Sequence, residues 1–144
     1  MTSKPNVLTV MAFDYGHKRI GIAVGQTVSR TATALKVLTT ANGQPKWNEI
    51  ADLVKEWGPD LFVVGIPFSE SHKTNSLRTA IERFSRRLTG RYQRPVSYVD
   101  ERLSSYAANY DEQAATSGLD AVAAKMILLT WLAQTNSIGT ATNQ

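Results

Sequence analysis

A long apolar run and an alternating run adjoin in residues 8–25, which read LTVMAFDYGHKRIGIAVG. Leu8–Phe13 is apolar except for Thr9, a pattern typical of a strand buried on both faces. Asp14–Arg19 is a predicted turn, and Ile20–Val24 then alternates large and small side chains. Because the connection between them is short, the two strands are expected to pair antiparallel.

The remaining chain alternates strand-like and helix-like patterns, bounded by glycine, proline or polar loops. The predicted elements are, in order, strand Thr33–Leu38, helix Trp47–Trp57, strand Leu61–Ile66, polar loop Ser69–Asn75, helix Leu77–Leu88 ended by Gly90, strand Val96–Val99, helix Leu103–Glu112 and helix Leu119–Gln134. This order predicts an α/β fold with a five-stranded mixed sheet, three strands antiparallel and then two parallel. Helices are expected on both faces of the sheet.

Length and composition narrow the class of protein. The 144 residues suit one domain, expected over 1–144 with flexible tails at 1–6 and 135–144. Cysteine is absent, which excludes disulfide scaffolds, thiol catalysis and cysteine-ligated zinc. No apolar run approaches the ~20 residues of a membrane span, so no membrane partner is expected. A formal net charge of +4 favours an anionic partner such as nucleic acid.

Four acidic residues adjoin the ends of predicted elements. Asp14 comes directly after the first strand, and Asp100 and Glu101 come directly after the last. Asp120 opens the final helix, which is apolar almost all round. Ligands of open α/β sheets bind at the carboxyl ends of parallel strands, so carboxylates from these positions are expected to converge.

Converging carboxylates need a cation, because like charges at close range repel one another. Oxygen ligands suit Mg²⁺ or Mn²⁺, and two such ions about 3.5–4 Å apart can activate water and stabilise the leaving oxygen in phosphodiester cleavage. The segment from Lys73 to Arg102 holds eight basic and three acidic residues, which fits an anionic substrate. The pattern therefore predicts a metal-dependent nuclease.

Two of these carboxylates also have a purely structural interpretation. Asp14 could open an Asp-x-Gly turn. Asp120 could cap its helix, since Ser117-x-x-Asp120 imitates a capping box and an acid in the first turn is favoured by the helix dipole. In that case the protein is a non-catalytic module that binds nucleic acid.

Other positions leave two alternatives each. The second acid is Asp100 or Glu101, and the longer side chain of Glu101 favours it because it reaches across a strand. Lys18 and Arg19 could bind phosphate or could simply keep a turn soluble. The arginines of the second helix lie opposite its apolar stripe, which is more typical of a solvated face than of a nucleic-acid track.

Four segments resemble the blocks of one known family, in the family's order. They are Asp14–Gly25, Val63–Pro67, Asp100–Ser105, and Asp120–Ala124 with Ile127 and Leu128. In these segments the chain is similar to the YqgF family, RNase H-like nucleases of pre-16S rRNA that are also called Holliday-junction-resolvase-like. Two segments depart from the family pattern, 69–75 and 111–118, and both are expected to contact substrate.

The resemblance implies an RNase H-like fold and a cytoplasmic role in maturing the 5′ end of 16S rRNA. It implies three catalytic carboxylates that also bind the metal, Mg²⁺ or Mn²⁺: Asp14, Glu101 and Asp120. The residues expected to bind the substrate are Lys18, Arg19 and Arg102. The rival activity is Holliday junction resolution, with branched DNA as the partner in place of structured RNA. Monomer and homodimer both stay open, although the symmetry of a four-way junction favours a dimer.

Overall fold

The structure, a computed structural model, describes residues 7–41, 44–67, 72–100 and 119–141, with the backbone alone for residues 72–75, 119–120 and 136–141. These ranges contain five strands and three helices. In chain order they are β1 (Thr9–Tyr15), β2 (Arg19–Gln26), β3 (Thr31–Thr39), α1 (Trp47–Trp57), β4 (Leu61–Ile66), α2 (His72–Tyr92), β5 (Val96–Asp100) and α3 (Leu119–Ala141).

All five strands form one mixed sheet in the order β3-β2-β1-β4-β5. The neighbouring strands β1, β2 and β3 pair antiparallel, as their short connections predict. Strand β4 pairs parallel with β1 on one side and with β5 on the other. Helix α1 lies in the connection from β3 to β4, and helix α2 lies in the connection from β4 to β5. The predicted sheet of three antiparallel and then two parallel strands is confirmed.

Two apolar cores lie on the two faces of this sheet. Met11 and Phe13 of β1 pack into the core beneath α1 and α2, whereas Val10 and Ala12 pack into the core beneath α3. Complete burial of a side chain such as Phe13 stabilises the fold by about 1.5–3 kcal/mol. This two-sided burial explains why β1 reads as a continuous apolar run rather than as an alternating one.

The first and last strands are longer than the sequence predicted. Asp14 and Tyr15 were expected in a turn but belong to β1, because the ladder continues through the pair formed by Asp14 and Gly21. Asp100 was expected after the last strand and instead ends β5, paired with Ile66. Both acids are therefore held by strand hydrogen bonding, which a local sequence pattern does not reveal.

The helix ends also differ in part from the prediction. Helix α1 ends at Trp57, as predicted, and Gly58 follows it in the left-handed conformation with φ of 56°. Helix α2 instead continues through Gly90 to Tyr92, and Gln93 takes the left-handed conformation with φ of 56° while its N–H donates to the Thr89 carbonyl. The first turn of α2 begins at His72, within the segment predicted to be a loop.

The last helix, α3, continues beyond its predicted end at Gln134 to Ala141, a segment that contains no proline to end it. The predicted helix Leu103–Glu112 lies outside the described residues. In the described ranges, no helix is long and apolar enough to cross a membrane.

Candidate active site

Asp14 is the next-to-last residue of β1, at the carboxyl end of that strand. Residues of a strand alternate between faces, so its side chain shares a face with Val10 and Ala12. That face is the one covered by α3, and Asp14 is partly buried there. The first predicted carboxylate therefore lies at the edge of the sheet where ligands of such folds bind.

Both sheet neighbours of Asp14 on this face are glycines. Gly21 is its partner in the antiparallel ladder. On the other side, β1 pairs parallel with β4, and Phe13 is the partner of Val64. The next residues along the two strands, Asp14 and Gly65, therefore lie side by side. Both glycines are buried. The two adjacent strands thus place no side chain directly beside the carboxylate.

Asp100 lies at the same edge of the sheet but on the other face. Its partner in the parallel ladder is Ile66, which belongs to the core beneath α1 and α2. Val99, one residue earlier, is buried in the core beneath α3. Strands β1 and β5 are separated by β4, a spacing of about 9.6 Å. Asp14 and Asp100 therefore share an edge without sharing a face.

The other predicted site residues are only partly described. Asp120 is the second residue of α3, so it opens that helix as predicted. Its side chain lies outside the described residues, as do Glu101, Arg102 and the segment 111–118. Within the described part of the chain, no three histidine, aspartate or glutamate side chains are grouped to hold a metal ion. The convergence of three carboxylates stays a prediction.

The turn after β1 presents two predicted substrate-binding residues at this edge. Lys18 and Arg19 are exposed. The Gly16 N–H donates to the Arg19 carbonyl at 2.9 Å, which closes the turn. Thr40 then fastens the turn to the end of β3: its N–H donates to the Lys18 carbonyl at 3.0 Å, and its hydroxyl donates to the His17 carbonyl at 2.6 Å. These bonds hold both cations close to the carboxyl edge.

A basic recess on the opposite face of the sheet was not predicted. It has a volume of about 30 Å³, and its walls include Tyr15, Gln44, Arg83 and Arg87. The sequence signal was the spacing of Arg83 and Arg87, which are four residues apart and so share one side of a helix. The position of these arginines opposite the apolar stripe favours a solvated face, and no sequence pattern indicates that Gln44 and Tyr15 lie beside them.

Comparison with known proteins decides the family. The profile of the family RuvX, described as a Holliday junction resolvase, matches residues 8–134 of the chain. The chain belongs to the RuvX family. RuvX and YqgF denote the same family, so the resemblance found in the four sequence segments is confirmed.

Close relatives of this RuvX-family chain cover almost its whole length. A protein of Hydrogenovibrio crunogenus is 42% identical over 130 residues, which cover 90% of this chain and 97% of the relative. A protein of Pseudomonas aeruginosa is 41% identical over 141 residues, covering 93% and 98%. Both relatives carry the name "putative pre-16S rRNA nuclease".

A solved structure shows the same fold at low sequence identity. RuvC of T. thermophilus, in complex with a Holliday junction substrate, matches with a TM-score of 0.61. The two sequences are 15% identical, and the match covers 92% of this chain and 97% of RuvC. The expected RNase H-like fold of this RuvX-family chain is thereby confirmed.

Proposed function

We propose that this RuvX-family protein is a metal-dependent nuclease that hydrolyses phosphodiester bonds of structured RNA, with the 5′ end of pre-16S rRNA as its substrate. The observation that carries the proposal is the position of Asp14 at the carboxyl edge of the sheet, between two glycines and on the face of the sheet that α3 covers. The names of relatives 41% and 42% identical support the substrate. For this function we expect the protein to be located in the cytoplasm.

The dimensions of β1 and α3 support a place for Asp120 near Asp14. The Cδ2 atom of Leu128 lies 3.1 Å from the position of a Cβ at Gly25, and Gly25 pairs with Val10. Counting back along the helix from Leu128, Asp120 is about 12 Å away. Counting forward along the strand from Val10, Asp14 is about 13 Å away. If α3 enters at the carboxyl edge, positions 14 and 120 are at about the same level along the sheet, which supports Asp120 as a ligand beside Asp14.

The faces of β5 favour Glu101 over Asp100 as the second acid. Asp100 lies on the side of the sheet that is covered by α1 and α2, away from Asp14. Val99 lies on the α3 side, and positions two residues apart share a face of a strand. The position that would continue the α3 side is 101. We therefore assign the second carboxylate to Glu101.

The donor chemistry of these residues fits a divalent cation. Asp14 supplies a partly buried carboxylate, the ligand type that Mg²⁺ and Mn²⁺ prefer. The proposed ligands are Asp14, Glu101 and Asp120. When bound, one or two such ions supply activation of water and stabilisation of the leaving oxygen. The residues proposed to bind and orient the phosphates are Lys18, Arg19 and Arg102.

A second candidate function is cleavage of branched DNA. It is favoured by the family's description and by the fold shared with RuvC, whose structure contains a Holliday junction. In this case a homodimer is expected, because two cuts in a four-way junction call for two related active sites.

The test offers both substrates to the same preparation. A folded pre-16S rRNA fragment and a four-way DNA junction are incubated with the protein and Mg²⁺ or Mn²⁺, and the cleaved ends are mapped. We expect cleavage of the RNA, and a fall of at least about a hundredfold in Asp14→Asn, which removes one proposed ligand.

The matched control is Asp52→Asn, the same change at an exposed position of α1. It should cleave like the wild type. Preferential cleavage of the junction would establish the second candidate instead. Full activity in Asp14→Asn, or binding of both substrates without any cleavage, would leave only a nucleic-acid-binding module.

A further inference from the structure

We propose that α2 carries a second nucleic-acid-binding surface, formed by Arg83, Arg87 and Arg91, that binds the phosphodiester backbone of a segment flanking the cleavage site. These three residues are called the arginine surface below. The choice of a nucleic acid as ligand rests on the proposed function. The surface itself follows from the charge and contacts of α2.

The excess positive charge of the chain is concentrated in this helix. Residues 76–92 contain five arginines and one glutamate, a surplus of four. The formal net charge of the whole chain is also +4, because the remaining residues hold eleven basic and eleven acidic side chains. A helix face that only keeps a protein soluble usually alternates in sign. The one-signed charge of α2 therefore points to an anionic ligand.

The spacing of the three arginines is unfavourable unless an anion binds them. Arg83, Arg87 and Arg91 are four residues apart and exposed, so they form one stripe of like charge along the helix. Each pair of like charges four residues apart destabilises a helix by about 0.2–0.5 kcal/mol. Among the described residues none of the three forms an ion pair with a carboxylate, whereas Arg78 pairs with Glu82 at 3.5 Å.

Neutral contacts hold two of these arginines in place. The Nη1 of Arg87 donates to the Oε1 of Gln44 at 3.3 Å. The guanidinium of Arg91 lies over the ring of Trp47, 4.2 Å from its centroid. Because neither contact neutralises a charge, both side chains are positioned and still able to bind phosphate.

The residue beside Arg91 does not offset its charge. Burial raises the pKa of Tyr92, and Arg91 lowers it by less. The phenol therefore stays neutral at physiological pH, and the arginine surface keeps its full charge.

The arginine surface adjoins the edge that carries Asp14. Tyr15 is the next residue along β1, and its side chain lies on the opposite face, where it lines the recess with Arg83 and Arg87. The exposed turn that holds Lys18 follows directly. A nucleic acid that contacts both the arginine surface and the carboxylate must pass over this edge of the sheet. Such a path suits a bent or branched substrate better than a straight duplex.

The experiment measures binding without cleavage. The 144-residue chain is titrated against a labelled pre-16S rRNA fragment or a four-way DNA junction in EDTA, over a series of salt concentrations. In Arg83→Gln/Arg87→Gln we expect affinity to fall roughly tenfold at 0.15 M salt, and the slope of log affinity against log salt to fall by about 1–2, as two phosphate contacts are lost. The two probes show whether the flanking segment is RNA or DNA.

The matched control also removes two positive charges, but at the end of the sheet opposite the edge that carries Asp14. Arg30 lies in the turn between β2 and β3, and Lys55 lies in the last turn of α1, and both are exposed. Arg30→Gln/Lys55→Gln should bind within about twofold of the wild type, because charges more than about 8 Å from a phosphate are screened at this salt concentration. Arg83→Lys/Arg87→Lys keeps the charge and should retain most of the affinity, which separates charge loss from misfolding.

Three results would overturn the proposal: no binding of either probe by the wild type, wild-type affinity in Arg83→Gln/Arg87→Gln, or an equal loss in the control. Cleavage is scored separately. A variant that loses affinity while the wild type cleaves nothing would uphold the arginine surface and reject the proposed function. Cleavage by the wild type, together with unchanged affinity in Arg83→Gln/Arg87→Gln, would uphold the proposed function and reject the arginine surface.

Discussion

Asp14 of β1 and Gly21 of β2 are partners in the antiparallel ladder, and their side-chain positions lie on the same face of the sheet. Partners in such a ladder have Cβ atoms about 4.5–5.5 Å apart. A residue larger than glycine at position 21 would therefore stand directly against the carboxylate that we assign to the active site. The pairing links a structural feature of the sheet to the proposed chemistry.

The first prediction follows from this pairing. Gly21→Ala and Gly21→Val should lower Mn²⁺ binding and RNA cleavage, the valine variant more than the alanine variant, because the added carbons crowd Asp14. Calorimetric titration and a cleavage assay measure the two effects. Gly90→Ala adds the same methyl group on α2, where the new Cβ meets no described atom within 4 Å beyond the neighbouring residues and backbone of the helix itself, and should leave both unchanged. Wild-type cleavage by Gly21→Val would contradict the assignment.

The second prediction separates the two adjacent acids Asp100 and Glu101. Asp100→Asn should keep cleavage within about threefold of the wild type, because Asp100 lies on the face opposite Asp14. Glu101→Gln should lower cleavage at least about a hundredfold, as expected for a lost metal ligand. Initial rates at saturating Mg²⁺ provide the comparison. The reverse order of effects would move the second carboxylate to Asp100.

The third prediction concerns stability and two glycines. A Cβ at Gly25 would collide with the carbonyl oxygen of Thr31 and lie 3.1 Å from the Cδ2 of Leu128. Gly25→Ala should therefore lower the free energy of unfolding by about 2–3 kcal/mol. Gly90→Ala, at an exposed position in the last turn of α2, should raise it by about 0.4–1 kcal/mol. Urea denaturation of both variants tests the contrast, and equal shifts would show that close approach at Gly25 is unimportant.

The fourth prediction concerns Trp47. Its ring stacks on Phe84 with centroids 5.5 Å apart, and its Nε1 is the one buried side-chain nitrogen or oxygen in the described ranges without a hydrogen-bond partner. Trp47→Phe keeps an aromatic ring and removes the unpaired N–H, so we expect a loss below about 1 kcal/mol. Trp47→Ala should lose about 2–4 kcal/mol, since it leaves a cavity. Similar losses in the two variants would contradict the expectation that a single aromatic ring keeps most of the packing at position 47.

Much of the fold was predictable from local patterns. The apolar run Leu8–Phe13 implied a strand buried on both faces, and β1 lies between two cores. Short connections implied antiparallel pairing of the first three strands, and helical crossovers implied parallel pairing of the rest. These features depend on periodicity and on chain length between elements, which are properties of neighbouring residues. The position of Asp14 at the carboxyl edge follows from the same information.

The sequence by itself thus determined the order of elements, the strand directions and membership of the RuvX family. Only the tertiary structure decided that Asp14 and Asp100 lie on opposite faces, because faces depend on strand register and on where each strand ends. It alone brought Gln44 and Tyr15 beside Arg83 and Arg87. Those contacts join segments distant in the chain, and their geometry is set by packing two helices on one sheet, which no local pattern records.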